Sequence, residues 1–255
     1  MKHFFIASTL CFALLLNNSV TQAANDASLP PVIAYPASYD TTKEGASSYQ
    51  GIGNVQVSPY YPAIDFYQMK PTTTLIILPH YQTYQQTTEI TCGPAAALTV
   101  LNYLGNTNWQ EKEIAAIMGT KPSIGTDVAG MVKFFKKIGW KTNSSLDNPT
   151  KNPQSFATET DFKNFVLKNL KENTPIMIEN IDWGGHWRVI IGYDTMGTDT
   201  MADDVLILAD SYDTADHQQD GYVIVPAEKF YYMWFDSHML PKNQQIQPWL
   251  TAVPK

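Results

Sequence analysis

The sequence predicts an α+β fold, with helices first and a mostly antiparallel sheet second. Two observations predict it. Between Pro94 and Asn173 apolar residues recur at three- and four-residue spacing in successive blocks. From Pro175 onward they come instead in short runs rich in Ile and Val, separated by Gly, Asp and Thr.

Taken in order, TLIIL (74–78) reads as a short strand stopped by Pro79. Pro94 suits the first turn of a helix, where its missing N–H costs nothing. Ala95, Leu98, Leu101 and Tyr103–Leu104 would form that helix's apolar face, and Gly105 its end. Asn108 is placed to cap a second helix in NWQEKEIAAIMG. Thr126 or Asp127 is placed to cap a third, DVAGMVKFFKKIGW, closed by Gly139. DNPTKNPQSFATET reads as a loop, and Asp161 to Asn173 as a fourth amphipathic helix. PIMIEN, HWRVIIGYD, VLILAD and GYVIVP follow as strands, and FYYMWF as a short helix or strand.

The chain opens with Lys2, an apolar run from Phe4 to Leu16, and a more polar stretch ending at Ala23. This is the pattern of a secretory signal peptide (1–23) cleaved near Ala23, so a secreted protein, periplasmic or extracellular, is expected. No later stretch of the sequence is long and apolar enough for stable membrane insertion. The formal charge of −7 disfavours nucleic acid as a partner. Residues 24–80 form an N-terminal extension rich in Tyr, Pro, Ser and Thr, readable as a pro-segment, a packed extension or an arm. Its densest aromatic group is Tyr60, Tyr61, Phe66 and Tyr67.

Of the two cysteines, Cys11 would leave with the signal peptide, and Cys92 stays without a partner. A leftover thiol in an exported protein points to intermolecular pairing or to a reactive group. Cys92 stands directly before the Pro94 helix, and the positive end of a helix favours a thiolate. His186 follows two glycines in DWGGHWRVIIGYD, which would leave room for a substrate backbone. A base beside the thiol would complete a nucleophile–base pair. The strands containing His186 and Asp210 flank the loop TMGTDTMADD symmetrically, so both residues fall at one end of a hairpin. There Asp210 could orient the imidazole. Asp194 is at the far strand end and Asp213 lies in a turn. An oxyanion hole would need the Cys92 N–H and a side-chain amide, for which Gln82, Gln85 and Gln86 are all available.

From about Tyr84 to Phe235 the chain resembles the papain-like cysteine peptidases of the bacteriocin-processing (double-glycine) type, in a stand-alone secreted form. In that family a Gln lies six residues before a Cys-Gly-Pro-Ala helix start, and here QTTEITCGPAAAL supplies Gln86 and Cys92. The family's Gly-His strand corresponds to GGHWRVIIGYD, and its strand ending in Asp to VLILAD. GYVIVPAEKFYYMW matches a following strand and F…W segment. The resemblance implies a papain-like fold over residues 81–240, leaving 241–255 as a C-terminal tail. It implies Cys92, His186 and Asp210 as a catalytic triad and Gln86 with Cys92 as the oxyanion hole. No Walker motif accompanies it, and Thr91 replaces the acidic residue often found before the Cys.

The function expected is hydrolysis of peptide or isopeptide bonds in a peptide or protein substrate through a thioester, with no cofactor and no metal. Two alternatives use the same scaffold. One is peptidyl transfer, since phytochelatin-synthase-like enzymes share the layout. The other is a non-catalytic binding protein.

Overall fold

A computed structural model of the chain describes residues 64–147, 155–182, 184–213 and 220–255. The signal peptide, most of the N-terminal extension with Tyr60 and Tyr61, and part of the 147–160 loop lie outside these residues. The element order is β1 (Leu75–Ile77), α1 (Cys92–Tyr103), α2 (Glu111–Met118), α3 (Val128–Lys137), β2 (Lys141–Ser144), α4 (Glu159–Lys171), β3 (Ile176–Asn180), β4 (His186–Asp194), β5 (Val205–Ala209), β6 (Tyr222–Pro226), α5 (Ala227–Tyr232) and β7 (Trp249–Val253). This is the expected α+β order, helices before most of the sheet.

The helix ends follow their local chemistry. Asp127 caps α3, its carboxylate accepting from Gly130 N at 2.7 Å. Thr158 caps α4 through Asp161 N at 3.1 Å. The cap of α2 is Gln110, not Asn108, and the Glu113 carboxylate reaches back to Gln110 N at 3.2 Å. A carboxylate three residues into the helix decides the start more firmly than an isolated Asn. Gly119 and Gly139 close α2 and α3 with φ of 78° and 83°, a region that favours glycine. Helix α1 is buried from Cys92 through Leu101, all round rather than on one face.

The sheet runs β2-β7-β3-β4-β5-β6, every pairing antiparallel. β4 is long enough to need two neighbours on one edge. β3 pairs with His186–Ile190, and β1 pairs with Gly192–Asp194. The strand is buried on both faces up to Tyr193, and α1 and α4 both pack against it. An aromatic cluster fills the space under α4 and α5. Phe156 stacks on Trp234 with centroids 5.7 Å apart, and Phe162 on Phe230 at 5.8 Å. FYYMWF is therefore the end of α5 and the turn after it.

Two stretches do more than the sequence announced. Residues 241–255, expected as a tail, carry β7, which lies inside the sheet between β2 and β3. β2 and β7 are short and belong to no long apolar run, so their pairing is a tertiary outcome. In the extension, Phe66, Leu75, Ile77 and Leu78 belong to the same core. A chain ending at Leu240 should accordingly leave β2 and β3 without their shared partner. We expect it to lose cooperative thermal unfolding by circular dichroism, a result that dispensable residues 241–255 would contradict.

Candidate active site

Cys92 is the first residue of α1. Thr91 gives the helix no side-chain cap, because its hydroxyl is engaged by Thr88, accepting from Thr88 N at 3.2 Å. Gly93 lets the helix approach the loop before α3. A Cβ there would stand 2.8 Å from Thr126 Cβ. The carbonyl of Thr126 accepts from Trp187 Nε1 at 2.7 Å. The residue after Cys92 and the residue after His186 are thus tied to the same loop residue.

His186 opens β4, and its Nε2 lies 2.7 Å from Asp210 Oδ1, both residues buried. The ladder ends with Val189 opposite Ala209, so its continuation sets Asp210 against Arg188. His186 therefore reaches Asp210 from the next position on the same face of β4, two residues away. Asp210 Oδ1 also accepts from Tyr212 N at 2.9 Å and Asp213 N at 3.1 Å. Arg188 Nη1 stands 3.8 Å from Asp210 Oδ2. Burial opposes ionisation of Asp210, but the His186 charge and hydrogen bond, with Arg188 and the Tyr212 N–H, hold its carboxyl well below the usual range. Burial likewise works against a charged His186. The Asp210 charge and hydrogen bond, aided by a hydrogen bond with Cys92, outweigh it and push the imidazole up to about 10. With Nε2 taken by Asp210, Nδ1 is the nitrogen left for the Cys92 thiol.

Gln86 is 1% exposed and meets the residue after Asp210 twice. Its N–H donates to Ser211 O at 2.9 Å, and its Oε1 accepts from Ser211 Oγ at 2.9 Å. Its Nε2 donates one of two hydrogens to Thr88 O at 2.8 Å. The segment around it is clamped by Glu111 of α2, which accepts from Tyr84 OH at 3.0 Å and Thr87 Oγ1 at 2.6 Å. The structure thus brings together Cys92, His186 and Asp210, and joins Gln86 to the loop beginning at Asp210. Asp194 instead accepts from Met196 N at 2.8 Å in its own turn, and Asp213 accepts from Gly221 N at 2.6 Å.

Several residues escaped sequence reasoning. Arg188 bonds Asn180 Oδ1 and Asp182 Oδ2, each at 2.6 Å. Its position two residues after His186, and its charge inside an apolar strand, were the available signals. Glu179, likewise an acid inside the apolar run PIMIEN, lies near Cys92 with Asp236. The room left by the two glycines is filled from within. A Cβ on Gly184 would stand 2.8 Å from Met239 Sδ, and one on Gly185 2.3 Å from Glu179 Oε1. A separate groove of about 550 Å³ over Thr158–Thr160 and Tyr231–Tyr232 shares no lining residue with Cys92. No cluster of three or more metal-ligating side chains occurs among the described residues. Nor is any helix among them long and apolar enough to cross a membrane.

Residues 79–238 match the Peptidase_C39 like family. The chain belongs to that family. It is therefore a cysteine peptidase, a hydrolase similar to the bacteriocin-processing peptidases, with a papain-like fold. It is similar to the solved peptidase domain of Streptococcus ComA, a bi-functional ABC transporter involved in a quorum sensing pathway. Identity is 18% and the TM-score 0.46, over 69% of this chain and all of that one. The peptidase domain of Streptococcus mutans ComA is 17% identical with a TM-score of 0.36, over 68% of this chain and all of that one. No curated protein matches the sequence.

Replacing Asp210 by Asn removes the charge that chiefly holds the imidazolium. His186 in that variant should titrate at lower pH than in the wild type, read from its imidazole NMR resonances. An unchanged titration would mean that Asp210 does not control the ring.

Proposed function

We propose that this peptidase hydrolyses peptide or isopeptide bonds with Cys92 as nucleophile, His186 as acid and base, and Asp210 as the group that orients His186. The observation that carries this reading is His186 held between the Asp210 carboxylate and the Cys92 thiol.

In the first step Cys92 Sγ attacks the carbonyl carbon while His186, its charge favoured by Asp210, carries the thiol's proton on Nδ1. The negative oxygen so formed takes hydrogen bonds from the Cys92 N–H and the Gln86 side-chain amide. Collapse breaks the C–N bond, and His186 returns its proton to the leaving amine. A thioester remains. Water then attacks it, giving a proton to His186, and the second collapse releases the acid and restores the thiol. Asp210 keeps the imidazole in one orientation throughout, and Arg188 steadies Asp210 from the far side.

Cys92→Ser and His186→Ala should each lower kcat on a peptide substrate by at least about 10³-fold. Gln86→Ala should cost about 10²–10³-fold, mostly in kcat. Steady-state kinetics on one cleaved peptide checks all three, and wild-type turnover by Cys92→Ser would sink the assignment.

We further propose that residues 1–23 direct export and are removed, on the strength of the charged start, the apolar run and the small residue at Ala23. N-terminal sequencing of protein recovered outside the cytoplasm should begin near Ala24. Recovery only from the cytoplasm with Met1 intact would refute export.

A further inference from the structure

Beside Cys92 lies a cavity of about 60 Å³. Its inner lining includes two carboxyls, Glu179 and Asp236, which are 2% and 3% exposed. They converge. A Cβ on Gly185 would stand 2.3 Å from Glu179 Oε1 and 3.1 Å from Asp236 Oδ1. Gly185 is therefore the residue whose missing side chain admits both acids next to His186.

Glu179 is treated unlike the other buried acids of this protein. Asp210 has His186, Arg188 and two backbone N–H groups. Asp204 has the Lys163 ammonium at 2.7 Å and the Tyr193 hydroxyl. Glu111 has Tyr84 and Thr87. By contrast, neither oxygen of Glu179 meets an N–H or hydroxyl donor, and the polar side chain facing it is a second acid, Asp236. Asp236 Oδ2 is engaged by Leu240 N at 3.0 Å. Burying a carboxyl without donors is costly, and His186, whose charge reaches Glu179, is already paired with Asp210, so the arrangement lacks a cation of its own. Burial, and then the charge of Asp236, raise the Glu179 carboxyl well above its usual range.

The lining adds a third acid, Glu89, and contains no Lys, Arg or His. Its remaining walls include Ile124, Met239 and Leu240. Apolar sides ending on two acids suit an unbranched aliphatic stem with an ammonium head. Because Cys92 borders the same space, whatever fills it belongs to a residue next to the bond attacked.

We propose that this cavity is a specificity subsite, and that the substrate is a peptide bearing a lysine-type primary ammonium beside the scissile bond, held by Glu179 and Asp236. The proposal rests on the peptidase reading above and names its substrate class.

The test uses the full chain carrying Cys92→Ala, which retains peptide without turnover. Its equilibrium binding is measured to hexapeptide pools with lysine, or the uncharged isostere norleucine, fixed at each position in turn. At one position lysine should be favoured at least about tenfold. Adding Glu179→Gln and Asp236→Asn together should bring that ratio close to one. Glu179→Gln alone, verified by an unchanged melting profile, serves if the double variant does not fold. Equal binding of lysine and norleucine at every position, or a lysine preference that survives the substitutions, overturns the proposal. Wild-type turnover of the same pools separates the two readings. Cleavage without lysine preference removes the subsite and leaves the peptidase. Lysine selection without any cleavage leaves the subsite and removes the catalytic assignment.

Discussion

Everything at this site depends on the packing of helix α1 against strand β4. The helix delivers the thiol and the strand delivers the imidazole, and neither element could place its group alone. Gly93 allows the close approach, and Thr126 receives both Gly93 and the indole of Trp187. One loop residue thereby sets the separation of two groups that lie far apart in sequence. Since protein interiors are packed like crystals, a small shift at Thr126 would be transmitted to both.

Electrostatics at the site is divided by side. On one side of His186 the acids are fully answered. Asp210 has its imidazole, its backbone N–H groups and the guanidinium of Arg188. That arrangement favours a charged imidazole despite burial, because the attraction of a close, desolvated carboxylate exceeds the cost of removing the ring from water. On the other side neither oxygen of Glu179 meets an N–H or hydroxyl donor. The same low-dielectric interior that strengthens the first pair makes an acid without donors costly. Glu179, with neither oxygen on such a donor, is the acid that the proposed substrate ammonium would answer.

Much of this was legible in the residues. Pro94 and Gly105 bracket a helix because one cannot donate within it and the other accepts the backbone that ends it. The spacing of His186 and Asp210 about a polar loop implied one end of a hairpin, because antiparallel pairing is symmetric about its turn. Gln86 was legible only through family resemblance, since three glutamines lie in the same loop and chemistry alone does not rank them. Strands β2 and β7 were not legible. Four or five residues of mixed polarity carry no period, and their pairing joins segments more than a hundred residues apart.

The sequence by itself determined the class of fold, singled out Cys92 and His186 as the proposed nucleophile and base, and indicated the end of the sheet at which His186 and Asp210 meet. These depend on local rules, namely helix starts, strand alternation and the lone thiol. Tertiary structure alone decided that Arg188 stands behind Asp210, that Gln86 is held by Ser211, and that Glu179 and Asp236 meet at Gly185. Each of those contacts joins separate elements whose relative placement follows from packing, and packing energy is a property of the whole core rather than of any one stretch of chain.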